Sequence, residues 1–428
     1  MKKPSDHYKP FDKLLIANRG EIAIRIGRAA AELGIHTVGI YTHEDRQSLH
    51  RYKMDEAYQI GADDEPLKPY LDIEGIIQIA KLTGAGAIHP GYGFLSENPN
   101  LARRCYQEGI VFVGPLPETL EILGDKVKAK QVGRKANVPL IPESEVPLTD
   151  VKTALSEAER IGYPVMLKAA SGGGGRGMRK CPDAKTLEEV FQSARNEAGK
   201  AFGDDTVFLE KFIINPKHIE VQILGDSHGQ VVHLFERDCS VQRRFQKVVE
   251  FAPAESISES IKNRLYDYAL VIARSVGYIN AGTVEFLVDA KDNVYFIEVN
   301  PRIQVEHTVT EEVTKIDLVP FTDFNCTGQS DVRLIGCAIQ CRVTTEDPEN
   351  DFKPDFGTIS HYRNASGFSI RLDEGSSYPG MRISPYFDSL LVKVTASGTG
   401  FNRCLRAPQP RSAGIQNQRR QNEYRFSA

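Results

Sequence analysis

Apolar and polar residues alternate along 283–289 and again along 293–300, on either side of the polar turn 290–292. Period-two alternation about a short polar turn predicts a β-hairpin. Folded about that turn, Glu285 falls opposite Glu298 or one residue away. Like charges facing each other across a ladder destabilise a sheet, so the pattern predicts a cation between them. One or two carboxylates completed by phosphate oxygens is the usual way of holding Mg²⁺. Asn300 extends the same face, and Arg302, Gln304, Glu306 and His307 follow, which gathers metal, anion and proton-transfer groups within eight residues. An exposed hairpin with solvated acids is the plain alternative, and Arg302 and Glu306 weigh against it.

The same reading organises the rest of the chain. Residues 13–18 are an apolar strand, 21–33 carry Ile22, Ile26, Ala29 and Ala30 on one side of a helix, and 36–42 are a second strand. This is a βαβ unit of a parallel sheet. A helix over 72–83, a strand over 86–88, a glycine-rich turn over 89–97 and a strand over 110–113 continue it. The first strand-to-helix turn, 18–20, has one glycine, so the opening domain is Rossmann-like without the dinucleotide fingerprint.

One helix is expected over 117–137 and a strand over 163–169. SGGGGRG at 171–177 satisfies G-x-G-x-x-G in letters, but strand-like residues follow it and the next helix starts only near Thr186. The loop therefore joins two strands as a flap. Its glycines let backbone N–H groups approach phosphate, although a hairpin tip explains them equally well. Lys168, just before the loop, favours phosphate. Residues 207–212 are a strand with Glu210 and Lys211, and strands over 218–224 and 231–237 pair across 225–229. Then Arg237, Arg243, Arg244 and Lys247 fall within eleven residues, beside Glu236 and Asp238. By spacing alone an anion site and a solvated charged face fit this run equally.

Composition narrows the class. The chain has 428 residues, 41% hydrophobic and 26% charged, enough for two or three ordinary domains. A net charge of −4 without a basic block argues against nucleic acid. Its apolar runs are too short to span a membrane, and the first ten residues lack a signal segment, so a cytoplasmic location is expected. The seven cysteines form no C-x-x-C, which predicts free thiols.

Taken together, ANRGEIAIR (17–25), HPGYGFLSEN (89–98), GDKVKAK (124–130), the glycine flap, ERDCSVQRR (236–244), the hairpin and CRVTTEDP (341–348) resemble the biotin carboxylase family of ATP-grasp ligases. The likeness runs over about residues 11–395. It implies an α/β (α+β) protein with three domains: a Rossmann-like one over 1–125, an ATP-grasp one over 126–335 with a lid at about 145–215, and a mixed α+β one over 336–428. The implied activity is ATP-dependent carboxylation of biotin by bicarbonate through carboxyphosphate. Lys126 and Lys168 would bind ATP phosphates under Gly173, Gly174, Gly175 and Gly177. Glu210, Lys211 and Ile213 would line the adenine pocket, and His218 and Gln242 would touch ribose or phosphate. Glu285, Glu298 and Asn300 would hold Mg²⁺ or Mn²⁺. Lys247, Arg302, Gln304 and Val305 would surround bicarbonate, with Glu306 as its base. Arg342 would steady the biotin enolate, and Asp388 would lie near the biotin end.

The family also implies partners. The chain has no AMKM-type biotinylation site, so biotin would arrive on a carrier domain and leave its carboxyl group at a carboxyltransferase domain. A homodimer through the carboxylase domain, within a higher oligomer, is expected. Two other functions share some features: a carbamoyl-phosphate-synthetase-like ligase using ammonia, and a nucleotide-binding module without turnover. ANRGEIAIR and CRVTTEDP speak against the first.

The chain departs from the family at Phe245, where His is usual, and at Lys315, where Gly is common. Loss of one nucleotide contact, or its replacement by stacking, is expected at Phe245. PFTDFNCTG (320–328) stands where the family has a helix like QSQILIAQG. Written CCA TTC ACA GAT TTT AAT TGC ACA GGG C and shifted by one nucleotide, it reads His-Ser-Gln-Ile-Leu-Ile-Ala-Gln-Gly. GIQNQRRQNEY (414–424) shifts likewise to Glu-Phe-Arg-Ile-Arg-Gly-Val-Lys-Thr-Asn, the family's sequence there. Frame errors in the written sequence, or a frameshifted gene, account for both. A poorly packed tail over 400–428 is expected.

Overall fold

The computed structural model describes residues 11–146, 148–169, 178–202, 205–244, 246–319 and 328–401, with 404, 416 and 417. The first unit is a parallel sheet of β1 (Lys13–Ile16), β2 (His36–Tyr41), β3 (Glu56–Gln59), β4 (Ala87–His89) and β5 (Val111–Phe112), in the order β3-β2-β1-β4-β5. Helices α1 (Gly20–Glu32), α2 (Leu49–Tyr52), α3 (Ile73–Thr83) and α4 (Pro99–Gln107) run between its strands. The apolar stripe of α1, Ile22, Ile26, Ala29 and Ala30, is buried in one core with Leu14 and Ile16. α3 starts at the Asp72 cap, whose carboxylate accepts from the Gly75 N–H, and ends at Gly84 in the left-handed region.

The single helix expected over 117–137 is two: α5 (Pro117–Leu123) and α6 (Lys126–Lys135). Asp125 accepts from the N–H groups of Val127 and Lys128 and so caps a new helix where the apolar pattern alone runs on. β6 (Val165–Ala169), β7 (Met178–Cys181) and β8 (Val207–Lys211) form a small antiparallel sheet, order β7-β6-β8. Helices α7 (Val151–Ile161) and α8 (Ala184–Phe202) cover it with a core of their own around Leu167, Leu187, Phe191 and Leu209. β6 and β7 are the two strands joined by the glycine segment, as the sequence predicts, while residues 170–177 lie outside the described ones.

The third sheet positions the site. β9 (Lys217–Gly225), β10 (Val231–Arg243), β11 (Gln246–Ala252), β12 (Asn280–Val288), β13 (Val294–Asn300) and β14 (Cys337–Thr344) are antiparallel, with helix α9 (Glu259–Ser275) against them. Their order is β13-β12-β9-β10-β11-β14, continued by strands Leu390–Gly398 and Ile370–Glu374. One sheet therefore runs unbroken from the hairpin into the C-terminal strands, through the β11–β14 pairing Val249↔Cys341. Helix α10 (His307–Thr314) crosses it and ends at Lys315, which has φ 60° in the left-handed region. Six described cysteines are free thiols. Cys404 is buried, and its sulfur lies 2.7 Å from that of Cys337. Phe245, residues 320–327 and most of the tail fall outside the described residues.

Candidate active site

Glu285 does face Glu298 across β12–β13, next to a register shift after Glu285. On the other side Glu285 is opposite Glu220 of β9, and Glu220 is opposite Arg237 of β10. Three carboxylates and a guanidinium thus stand in one row across four strands. Such a row is tenable only if the acids have cations of their own. Lys247 of β11 supplies one: its Nζ lies 2.5 Å from Glu220, 2.8 Å from Glu285 and 2.8 Å from Glu306. His218 Nε2 is 2.7 Å from the second oxygen of Glu285, and Lys126 is 3.1 Å from Glu298. Protein cations thus stand on both facing acids, Lys247 and His218 on Glu285 and Lys126 on Glu298.

The loop after β13 closes the arrangement. Asn300 Nδ2 and Gln304 Nε2 donate to one oxygen of Glu285, at 2.8 and 3.0 Å. Glu306 lies just before α10 and is fully buried between two cations: Lys247 on one oxygen, and Arg342 Nη2 on the other at 3.0 Å. Arg342 comes from β14 and also donates through Nε to Glu250 at 2.7 Å. Arg302 reaches the other way, donating to Glu97 at 2.5 Å and to the Asn300 oxygen at 3.1 Å. Val305 offers its carbonyl to the buried Lys393.

Burial pushes the Glu306 carboxyl up, but Lys247, Arg342 and Arg237 outweigh it and hold the group well below the usual carboxylate range. Glu285 is held low against burial in the same way, by Lys247 and His218. Burial pulls Lys247 down, yet Glu220, Glu306 and Glu285 raise it well above the ordinary lysine value. Glu250 is the exception: burial dominates, Arg342 only partly opposes it, and its pKa rises to about 7. Glu306 is thus a buried anion between two fixed cations.

The residues expected at the nucleotide divide between two places. Lys168 pairs with Glu210, and Lys130 pairs with Glu210 at 3.1 Å and Glu143 at 2.7 Å. Lys211 donates to the carbonyls of Gly162 and Tyr163, at 2.7 and 2.9 Å. Gln242 joins the central site through His218, at 2.9 Å. Ile213 is half-buried just beyond β8, Asp388 is exposed and caps the Leu390 N–H, and Gly173, Gly174, Gly175 and Gly177 lie outside the described residues. Sequence reasoning missed Glu220, Glu250, Glu97 and Lys130 as site neighbours. Glu220 had a signal: His218, Glu220 and Gln222 alternate through the apolar strand β9.

An antiparallel sheet bearing acids and cations, with the small antiparallel sheet β7-β6-β8 beside it, is the ATP-grasp arrangement. Three family models match in order: "Biotin carboxylase, N-terminal domain" over 10–120, "Carbamoyl-phosphate synthase L chain, ATP binding domain" over 125–323, and "Biotin carboxylase C-terminal domain" over 340–410. The biotin carboxylase domain of a Hydrogenobacter thermophilus 2-oxoglutarate carboxylase superposes with a TM-score of 0.88 at 45% identity, over 96% of this chain and 92% of that one. The biotin carboxylase subunit of a pyruvate carboxylase gives 0.82 at 44% identity, over 95% and 92%. The chain belongs to the biotin carboxylase family. Among curated proteins it is 54% identical to pyruvate carboxylase of Staphylococcus aureus and 53% to that of Bacillus subtilis, over 92% of the chain in both. It spans about a third of the length of those relatives, 35% in each case. YTHEDRQSLHRYKMDEAY, YLDIEGIIQIAK and FGDDTVFLEKFI are the segments in which the sequence itself most resembles pyruvate carboxylase.

Proposed function

We propose that this chain catalyses ATP-dependent carboxylation of biotin by bicarbonate, the first half-reaction of a pyruvate carboxylase. The observation that carries this reading is Glu306 held between Lys247 and Arg342. Lys247, Arg302, Gln304 and the Val305 backbone bind bicarbonate. Glu306, kept anionic, removes its proton, and the freed oxygen attacks the γ-phosphorus of ATP with ADP leaving. The product, carboxyphosphate, breaks down to CO₂ and phosphate. That phosphate takes the biotin N–H proton, and Arg342 stabilises the enolate oxygen while the nitrogen adds to CO₂. Asp388 lies toward the biotin end of this path.

Lys126, Lys168 and the glycines 173–177 hold the ATP phosphates and keep out water, which would hydrolyse carboxyphosphate. Glu210, Lys211 and Ile213 take the adenine end, and His218 and Gln242 the ribose or phosphate. Glu285, Glu298 and the Asn300 amide oxygen are a hard oxygen set that fits Mg²⁺ or Mn²⁺. The metal, when bound, neutralises phosphate oxygens. Its charge would replace Lys247 and His218 on Glu285 and Lys126 on Glu298, freeing those cations for anions.

The domains we assign are 1–125, 126–335 and 336–428. Biotin comes on a carrier domain and passes to a carboxyltransferase domain, functions that fit the two thirds of the relatives' length lying outside this match. A homodimer through this domain, within a higher oligomer, is supported by the dimer in the Hydrogenobacter structure's description. Among the described residues no helix is long and apolar enough to cross a membrane. The free thiols support the cytoplasm as its compartment. ADP release that needs bicarbonate and rises with free biotin is the expected result. Release stimulated by ammonia but not by biotin, or nucleotide binding without release, would overturn the reading.

A further inference from the structure

Arg237 is fully buried, at 0% exposure, in the middle of the sheet. A guanidinium has five N–H donors in one rigid plane, and burying it is costly unless each is matched. Here all five are. Nε donates to Glu220 at 2.5 Å, Nη1 to Gln222 and Thr310 at 2.7 and 2.8 Å, and Nη2 to Thr283 and Gln304 at 3.1 and 3.0 Å. Only one of these acceptors is charged. The others come from β9, β12, α10 and the loop before α10, so Arg237 gathers four segments into one geometry.

The bond to Gln304 has a chemical consequence. Arg237 can only donate, so the Gln304 oxygen must face it. The amide nitrogen is thereby turned the other way, and it donates to Glu285 at 3.0 Å. Arg237 on the oxygen and Glu285 on the nitrogen together fix one orientation of the amide, and without Arg237 the buried oxygen loses its donor and the side chain is free to shift. Glu220, the charged partner, lends its second oxygen to Lys247 at 2.5 Å. One buried guanidinium thus fixes both a neutral donor and the seat of an ammonium.

We propose that Arg237 is a positioning residue for bicarbonate: it holds the Gln304 amide with its hydrogens toward the anion and anchors, through Glu220, the Lys247 ammonium. This rests on the reading of Gln304 and Lys247 as bicarbonate-binding groups. Arg237 does not itself touch substrate.

The test is steady-state kinetics of the full chain with ATP, bicarbonate and free biotin. Lysine keeps the charge but lacks the planar fork, so Arg237→Lys should raise the KM for bicarbonate about tenfold or more, with the KM for ATP within about threefold. Thr310→Val removes one anchor of the guanidinium and should raise the bicarbonate KM alone, by a smaller factor. It serves where Arg237→Lys does not fold. Gln304→Ala in the Arg237→Lys background should add little further loss, because both changes remove the same donor. An unchanged bicarbonate KM in both variants, equal rises in the two KM values, or fully additive losses would overturn the inference. Wild-type turnover independent of bicarbonate would instead defeat the functional reading on which it stands.

Discussion

Arg342 of β14 and Glu306, just before α10, are joined directly, the guanidinium Nη2 donating to the carboxylate at 3.0 Å. Arg342 also holds Glu250, so it stands between two buried carboxylates, one of them the proposed base. Arg342→Ala should abolish biotin carboxylation. It should spare much of the biotin-independent ATP cleavage, because Lys247 remains on the other oxygen of Glu306. Assays with and without biotin separate the two. Equal loss of both would show that Arg342 acts earlier or holds the site together.

Glu285→Gln and Glu298→Gln should each raise the KM for MgATP about tenfold or more, since each removes one of the anionic ligands proposed for the metal. Circular dichroism should remain that of the wild type. Glu298 is partly exposed and pairs with an exposed Lys126, so its replacement leaves no buried charge stranded. Full activity in either variant, with greater metal-free stability, would reduce the pair to a structural feature.

Lys315 occupies a left-handed position at φ 60°. A side chain there costs roughly 1 kcal/mol relative to glycine. Its contact with Glu312 is at 3.3 Å on an exposed lysine and returns little. Lys315→Gly should therefore stabilise the chain by about 1 kcal/mol, read as a higher urea midpoint. A lower midpoint would mean that the lysine does more at this cap than geometry indicates.

Four buried histidines give the chain an acid weakness, among them His307, which burial and the nearby Lys393, Arg371 and Arg25 hold well below its ordinary value. Burial lowers His50 and His233 from 6.5 to about 4, and His89 to about 3. Between pH 6.5 and those values the unfolded chain binds more protons than the folded one. Stability from these groups is complete above pH 6.5 and is lost as pH falls, by up to about 1.4 kcal/mol per pH unit for each histidine. Urea midpoints at pH 6.5 and 5.5 measure this, and equal midpoints would contradict it.

Frame errors in the written sequence, or true frame shifts in the gene, should account for 320–328 and 414–424. Resequencing, with the intact mass of the protein, decides this. One uninterrupted frame giving the printed residues would rule it out. Limited proteolysis tests the tail, for which cleavage after about residue 400 is expected.

The hairpin acids were legible because both lie within eighteen residues and share one period-two pattern. The Rossmann-like unit was legible for a similar reason, as its strands and helices alternate locally. Glu220 and Glu250 were not, because what makes them site residues is the order β13-β12-β9-β10-β11-β14, a long-range pairing that no local period encodes. Arg237 stood in a charge run that spacing could not distinguish from a solvated face, and only its complete burial decides between them. The break at Asp125 was a local signal overlooked: an acid ahead of a helical run is a start as well as a surface residue.

The pairing of β11 with β14 also governs how the protein can be made. Lys247 and Glu306 leave the ribosome well before Arg342, and β14 must add to β11 before the strand Leu390–Gly398 can pair with it in turn. Until then the β11 side of the nascent sheet is an open edge beside a cluster of buried acids, one cation short. Unpaired edges recruit other chains. Synthesis halted between residues 320 and 337 would leave a chain with its nucleotide half assembled and a sticky flank exposed, a natural client for chaperones and a poor candidate for independent survival.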